Sequence, residues 1–236
     1  MARPGMLARV RKAGFEGPFY EGLLGKARFA FESLAWRTEF IFAGTRESQA
    51  SAQAPRDVRL VLTTVTSFSD LDRFRAGLEA EYFRGYLDGW RAPFTWGEEV
   101  VIGTVDECVA GFAWVQRGTS EGFPTYYGPL FGDEARILRV GVVPGFRRQG
   151  VNSAMMYALL QRLLADGFQR VFAETHKYNV PSVRTFLKVG FRPAATITVL
   201  AAPGGREFVR WSSPAETERH LRRLGLSDVP LQRHSD

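Results

Sequence analysis

The stretch from Ile137 to Thr175 constrains the fold more than any other part of the chain. Ile137 to Val143 is an apolar, valine-rich run that reads as a strand. Pro144-Gly145 then turns the chain, and Gly150 to Asp166 reads as a helix. Arg170 to Thr175 reads as a second strand. A strand, a helix and a strand at this spacing predict a right-handed crossover between two parallel strands. The fold class expected is therefore α/β (α+β): a mixed central sheet of about six to seven strands, flanked by helices.

The flanking sequence supplies the other elements. Val58 to Val65 reads as a strand, and Ser69 to Tyr86 as one or two helices with Asp70 or Ser69 as N-cap. Glu99 to Val105 and Cys108 to Val115 form two strands across Asp106-Glu107, a two-residue hairpin spacing. Gly118 to Pro129 reads as a loop rich in Gly, Tyr and Pro. Beyond the crossover, Val180 to Val189 reads as a short helix closed by Gly190. Strands Arg192 to Leu200 and Glu207 to Trp211 follow, across the turn Pro203-Gly204-Gly205. Ala215 to Leu224 is a basic helix, with acids first and arginines last as the macrodipole prefers.

The first part of the chain has a different character. Within Phe19 to Ala35, residues Tyr20, Leu23, Leu24, Ala27, Phe31, Leu34 and Ala35 recur at three- and four-residue steps and predict an amphipathic helix. A short strand, Glu39 to Ala43, precedes a Ser/Gln/Ala-rich linker over Gly44 to Arg56. The expected organisation is an N-terminal extension over residues 1–55, a domain over 56–212 and a basic tail over 213–236. Residues 1–40 are a candidate surface for a membrane or a partner protein; the alternative is a helix packed on the domain's own core.

Composition narrows the function classes. The net charge of +6 comes from 27 Arg and only 4 Lys, scattered along the chain and not gathered into a stripe. That balance suits a phosphate-bearing ligand, and it would equally suit nucleic acid or an anionic membrane; nucleic acid is not the partner expected. Cys108 is the single cysteine, which excludes an internal disulfide and a Cys-based metal site. A reducing, cytoplasmic setting is expected. No leader-like segment opens the chain, no apolar run approaches the roughly 18 residues of a membrane span, and no metal is expected.

Function is concentrated at the turn Arg147-Arg148-Gln149-Gly150-Val151-Asn152. A strand ends at Val143 and a helix begins near Gly150, so backbone N–H groups converge there and form an anion site. Gly150 lets a phosphate approach without an intervening Cβ, and Arg147 and Arg148 add charge. A diphosphate fits best.

This segment resembles the R-x-x-G-x-G/A element of the GNAT superfamily, the Gcn5-related N-acetyltransferases. Arg147 and Gly150 match its first two fixed positions, while Asn152 stands where that superfamily has Gly or Ala. A second segment, Asn179 through Phe186 to Gly190-Phe191, resembles its other element: an Asn, a short helix carrying a Tyr, then Gly-Phe. The resemblance implies a GNAT fold over about residues 57–212, with the sheet splayed between its two central parallel strands. It implies acetyl-CoA, or another acyl-CoA, as co-substrate. The diphosphate would lie against Arg147, Arg148, Gln149, Gly150, Val151, Asn152 and Ser153, and the pantetheine arm along the backbone of Val140, Gly141 and Val142. Asn179 would hydrogen-bond that arm, with Phe186 beside it.

The resemblance also implies the chemistry. In ribosomal-protein alanine acetyltransferases of that superfamily, a Glu five residues before the motif Asn is the base and a Tyr seven after it the acid. The first position is Glu174 here. The second is Phe186, which cannot donate a proton, so His176 and Tyr178 become candidates, with Tyr126 and Tyr127 behind them. His176 lies two residues after Glu174 and shares its side if the strand continues. An imidazole there can act as acid or base near neutral pH.

The function expected is an N-acyltransferase of bacterial type, moving an acetyl group from acetyl-CoA to a primary amine by direct attack on the thioester. The N-terminal extension is similar to that of bacterial GNAT proteins of surface-polysaccharide synthesis, which implies an amino sugar or nucleotide sugar as acceptor. A peptide N-terminus or small amine is the alternative within the enzyme class, and a non-catalytic acyl-CoA sensor the alternative outside it. Trp90, Trp96 and Trp114 are candidates to stack on the acceptor or to pack in the core. A homodimer is a candidate assembly.

Overall fold

The computed structural model describes residues 36–55, 58–81, 86–118, 130–201, 207–223 and 225–226. The expected helix Phe19 to Ala35, most of the loop that carries Tyr126 and Tyr127, and the turn Pro203-Gly204-Gly205 lie outside the described residues. The elements begin with β1 (Trp36–Gly44), α1 (Arg46–Ala50), β2 (Leu60–Val65), α2 (Asp72–Glu81), a 3₁₀ turn (Tyr86–Trp90) and α3 (Arg91–Thr95). Next come β3 (Glu99–Val105), β4 (Cys108–Arg117), β5 (Glu134–Val142), a 3₁₀ turn (Pro144–Phe146) and α4 (Val151–Ala165). The described chain closes with β6 (Arg170–His176), α5 (Val180–Lys188), β7 (Arg192–Ala201), β8 (Glu207–Ser212) and α6 (Pro214–Arg223).

The chain divides into two compact units. The larger comprises Ala43–Ala173 and Thr185–Arg192. Its strands run in the order β2-β3-β4-β5-β6. The first three neighbouring pairs are antiparallel and the last is parallel, so the sheet is mixed as expected. The β3–β4 hairpin turns through Asp106 at φ 47° and Glu107 at φ 64°. Two left-handed residues make the turn whose twist matches that of paired strands.

Helix α4 carries the chain from β5 to the parallel β6. It buries Met155, Met156, Leu159, Leu160 and Leu163, and an added Cβ at Gly103 or Gly111 would lie 3.5 Å from the Met155 side chain. Side chains alternate across a strand, so the opposite face holds Val100, Ile102, Phe112, Trp114 and Leu138, packed with Leu71, Leu78, Leu87 and Trp90.

The smaller unit contains Glu174–Arg184 and the described parts of Met1–Phe42 and Pro193–Asp236. The end of β6 is followed in it by β1, β7 and β8, and β7 pairs antiparallel with β8. A buried hydrogen bond of 2.8 Å joins the Thr196 and Thr217 hydroxyls and ties α6 to β7. The His220 ring stands edge-on to Phe40 at 5.2 Å. No helix among the described residues is long and apolar enough to cross a membrane.

Three local expectations need correction. The linker expected over Gly44 to Arg56 contains α1, because Thr45 and Ser48 form a reciprocal capping box that satisfies donors at the helix start. Helix α2 begins at Asp72, after a turn in which the Asp72 N–H donates to the Ser69 carbonyl at 3.2 Å. Strand β5 begins at Glu134, before the expected Ile137. Its polar start is buried: Glu134 pairs with Arg170 at 2.6 Å, and Arg136 contacts the Gln116 amide oxygen at 3.5 Å. A buried charge is tolerated when it is paired. The described residues hold eight strands; the one in the extension, β1, is longer than the short run expected there.

Gly190 closes α5 as expected, at φ 103°. The Phe191 N–H donates to the Phe186 carbonyl at 2.9 Å and the Gly190 N–H to the Leu187 carbonyl at 3.4 Å, the paired bonds of a left-handed helix stop. A Cβ at Gly190 would stand 3.1 Å from backbone atoms of Ser48 and Gln49. Gly190→Ala is expected to cost about 1–3 kcal/mol of stability, read as a lower midpoint in urea at unchanged slope.

Candidate functional site

In the larger unit, β5 leads directly into the anion turn. Val143 donates its N–H to the Ala110 carbonyl at 2.9 Å, and the 3₁₀ turn Pro144–Phe146 redirects the chain. Arg147 donates from Nε to the Val142 carbonyl at 3.2 Å, and Gln149 from Nε2 to the Gly145 carbonyl at 2.7 Å. Side chains that the sequence offered as ligand contacts thus also hold the turn. Arg148 adopts φ 62° and Gly150 φ 88°. Left-handed residues in such a turn curl successive N–H groups around a concavity that suits anions.

Gly150 is the N-cap of α4 and supplies no side-chain cap. The first bond into the helix is from the Ala154 N–H to the Gly150 carbonyl, 2.9 Å. The N–H groups of Val151, Asn152 and Ser153 precede it, at the positive end of the helix dipole. Oδ1 of Asn152 is buried and has no hydrogen-bond partner. A buried acceptor left unpaired costs about 1–3 kcal/mol, so a donor from a bound molecule would offset that cost. Glycine at φ 88°, the N–H groups and this unpaired acceptor fit a diphosphate with a hydrogen-bond donor nearby.

The preceding strand has an irregular edge. Within this unit the parallel β5–β6 ladder includes the pairs from Glu134↔Arg170 to Ile137↔Ala173. On its other side, the β4 register shifts between Phe112 and Trp114. Trp114 faces Leu138 and Phe112 faces Gly141, so Arg139 and Val140 share the place opposite Ala113. Arg139 adopts φ 45°. This is a β-bulge, and nothing in the sequence signalled it, since Arg is not a residue that favours such a conformation. Val140, Gly141 and Val142 follow it directly.

Phe186 also belongs to the larger unit. It is 3% exposed, with its ring 5.7 Å from that of Phe191, the apolar contact that accompanies this kind of helix stop. Trp114 and Trp90 are buried, with their rings edge-on to one another at 5.2 Å. Of the tryptophans named as stacking candidates, these two pack in the core and Trp96 remains half-buried.

The smaller unit gathers the candidate proton-transfer residues. Strand β6 continues through His176, and its alternation places Glu174 and His176 on one side while Thr175 is buried on the other. The Tyr178 N–H approaches Nδ1 of His176 at 3.4 Å, which favours the neutral tautomer carrying its proton on Nε2. The two rings lie 5.4 Å apart. The ammonium of Lys177 sits 4.7 Å over the Tyr178 ring. Burial, and then the charges of Lys177 and Arg223, hold the His220 imidazole below its usual pKa. The Asn179 N–H donates to the His176 carbonyl at 2.8 Å, and its Oδ1 accepts from the Ser182 N–H at 3.4 Å as an N-cap of α5. That capping role orients the side chain and leaves its Nδ2 as the group to offer a ligand.

A mycothiol acetyltransferase from Corynebacterium aurimucosum is 27% identical over 122 residues, which are 52% of this chain and 36% of that protein. The [Ribosomal protein bS18]-alanine N-acetyltransferase of Escherichia coli is 26% identical over 101 residues, or 43% of this chain and 67% of that protein. The chain thus spans about a third of the length of the first relative. A GNAT-family acetyltransferase structure from Colwellia psychrerythraea aligns with a TM-score of 0.49 at 12% identity, covering 74% of this chain and 60% of that one. A family model described as the Acetyltransferase (GNAT) family matches residues 68–191, more than half of the chain and both motif segments. The chain belongs to the GNAT acetyltransferase family.

Proposed function

We propose that the chain transfers an acetyl group from acetyl-CoA to a primary amine of a small molecule, with an amino sugar or nucleotide sugar as the favoured acceptor class. The observation that carries the donor half is the left-handed Gly150 at the start of α4, with the N–H groups of Val151, Asn152 and Ser153 behind it. Family membership supports acyl transfer. The acceptor half rests on the character of the N-terminal extension alone.

In this reading the backbone of Val140, Gly141 and Val142 lines the pantetheine, and Asn179 adds a hydrogen bond from Nδ2. Glu174 takes the proton from the acceptor ammonium, directly or through one water, because only the neutral amine carries a lone pair for attack on the thioester. The amine nitrogen bonds to the acetyl carbon, and the oxyanion then needs an N–H donor, which a strand edge can supply. Collapse breaks the carbon–sulfur bond. As the thiolate leaves, the nitrogen gives up its second proton, which replaces the one that the thiolate takes from Tyr178, His176 or water. Phe186 has no hydroxyl and contributes shape only.

A sensor that binds acyl-CoA without turnover is the second reading, favoured by Phe186 and by Asn152 in place of a smaller residue. The experiment mixes the protein with acetyl-CoA and follows free thiol across amino sugars, nucleotide amino sugars, peptides with a free N-terminus and polyamines. Thiol release that saturates with a sugar amine is expected. Release with peptides only would replace the acceptor class. Calorimetric CoA binding without release for any acceptor would establish the sensor.

A further inference from the structure

We infer that Glu98 and Arg139 act as a latch that pins the bulge in β5 and thereby sets the backbone edge Val140–Val142 that receives acyl-CoA. The inference rests on the reading of that edge as the pantetheine strand. Arg139 lies at φ 45°, a conformation that a non-glycine residue holds only under constraint. The constraint is visible. Its Nη1 lies 3.1 Å from Oε2 of Glu98, whose side chain is fully buried. A carboxylate removed from water requires a cation, and breaking such a pair leaves an uncompensated charge.

The two residues do not belong to neighbouring strands. Glu98 precedes β3, Arg139 sits in β5, and β4 runs between them. The guanidinium crosses β4 above the ring of Trp114, 5.6 Å from its centroid. That ring is itself wedged against Trp90 and Phe94 at 5.2 and 4.9 Å. Nε1 of Trp114 is buried and makes no hydrogen bond, so packing alone fixes the indole, which serves as a spacer under the arginine. Glu98, Trp114 and Arg139 thus bind three successive strands together at the level of the bulge.

The position of the bulge matters because side chains and backbone groups alternate with period two. If Arg139 relaxed into extended backbone, the extra residue would be absorbed elsewhere, and the N–H and C=O groups of Val140–Val142 would turn to the opposite edge. Glu98 and Arg139 are positioning residues for acyl-CoA and touch none of the reacting atoms.

The test is a calorimetric titration of CoA into the unaltered chain, Glu98→Gln, and the double variant Glu98→Gln/Arg139→Gly. Thermal unfolding of each is run alongside. The amide keeps the shape of Glu98 without leaving a buried charge. Glu98→Gln is expected to weaken CoA binding roughly tenfold, the factor by which a left-handed non-glycine residue is disfavoured once released. Glycine adopts positive φ without help, so the double variant is expected to regain affinity within about threefold of the parent, whatever its thermal stability. A residue acting only through packing would show no such rescue. Parental affinity in Glu98→Gln, or a double variant as weak as the single one, would overturn the latch while the CoA site stands. If the unaltered chain binds no CoA, the site reading and the latch fall together. Should Glu98→Gln not fold, Arg139→Lys takes its place: it keeps the charge but loses the planar fork, and unchanged affinity there overturns the latch.

Discussion

Gly150→Val is expected to weaken CoA binding by about a hundredfold or more, equivalent to about 2.7 kcal/mol, in a protein that still unfolds cooperatively. Gly150 sits at φ 88°, and a β-branched residue is an outlier at positive φ. The variant therefore has two courses. It keeps the turn and bears a backbone strain of about 1–3 kcal/mol, or it relaxes and the N–H groups of Val151, Asn152 and Ser153 no longer converge. In either case new side-chain atoms stand where a phosphate would reach the backbone. Gly145 is the control: a Cβ added there meets nothing within 4 Å, so Gly145→Ala is expected to bind CoA like the parent. Equal affinities in Gly150→Val and the parent, measured by calorimetry, would remove the diphosphate from this turn.

Glu174→Gln is expected to lower turnover about 10²- to 10³-fold, the range over which a positioned base contributes, with acyl-CoA affinity unchanged. The amide retains the size of the carboxylate and loses the proton acceptor. The loss should shrink as pH rises, because more of the acceptor amine is then neutral in solution. Equal turnover at neutral pH would exclude Glu174 as the base. A parallel fall in CoA affinity would assign it to binding instead. His176→Asn separates the neighbouring candidate, since His176 shares the side of Glu174 along β6.

Some of this was readable in the order of the residues. The signals that survive are local ones, where one residue type meets one backbone demand. Gly190 stops α5 because φ 103° suits glycine, and Gly150 starts α4 for a related reason. The spacing of apolar residues in α4 follows from the helix period, whatever surrounds it. The β3–β4 hairpin was legible from two polar residues between apolar runs.

Other features carry no local mark. Glu134 and Arg136 looked unlike strand residues because the partners that make their burial tolerable, Arg170 and Gln116, lie in other strands. The capping of α1 by Thr45 and Ser48 was hidden in a segment whose composition suggests a linker. Phe186 fell on the position where the motif it resembles carries a tyrosine, and its packing against Phe191 is an event of the helix stop that a motif comparison does not see.

The sequence by itself determined the crossover and the glycine-started helix, because each depends on the conformational preferences of residues adjacent in the chain. Only the tertiary structure decided the bulge at Arg139 and the unpaired Oδ1 of Asn152. Those depend on which groups meet across strands, and pairing free energies are settled by desolvation and packing among residues far apart in the chain.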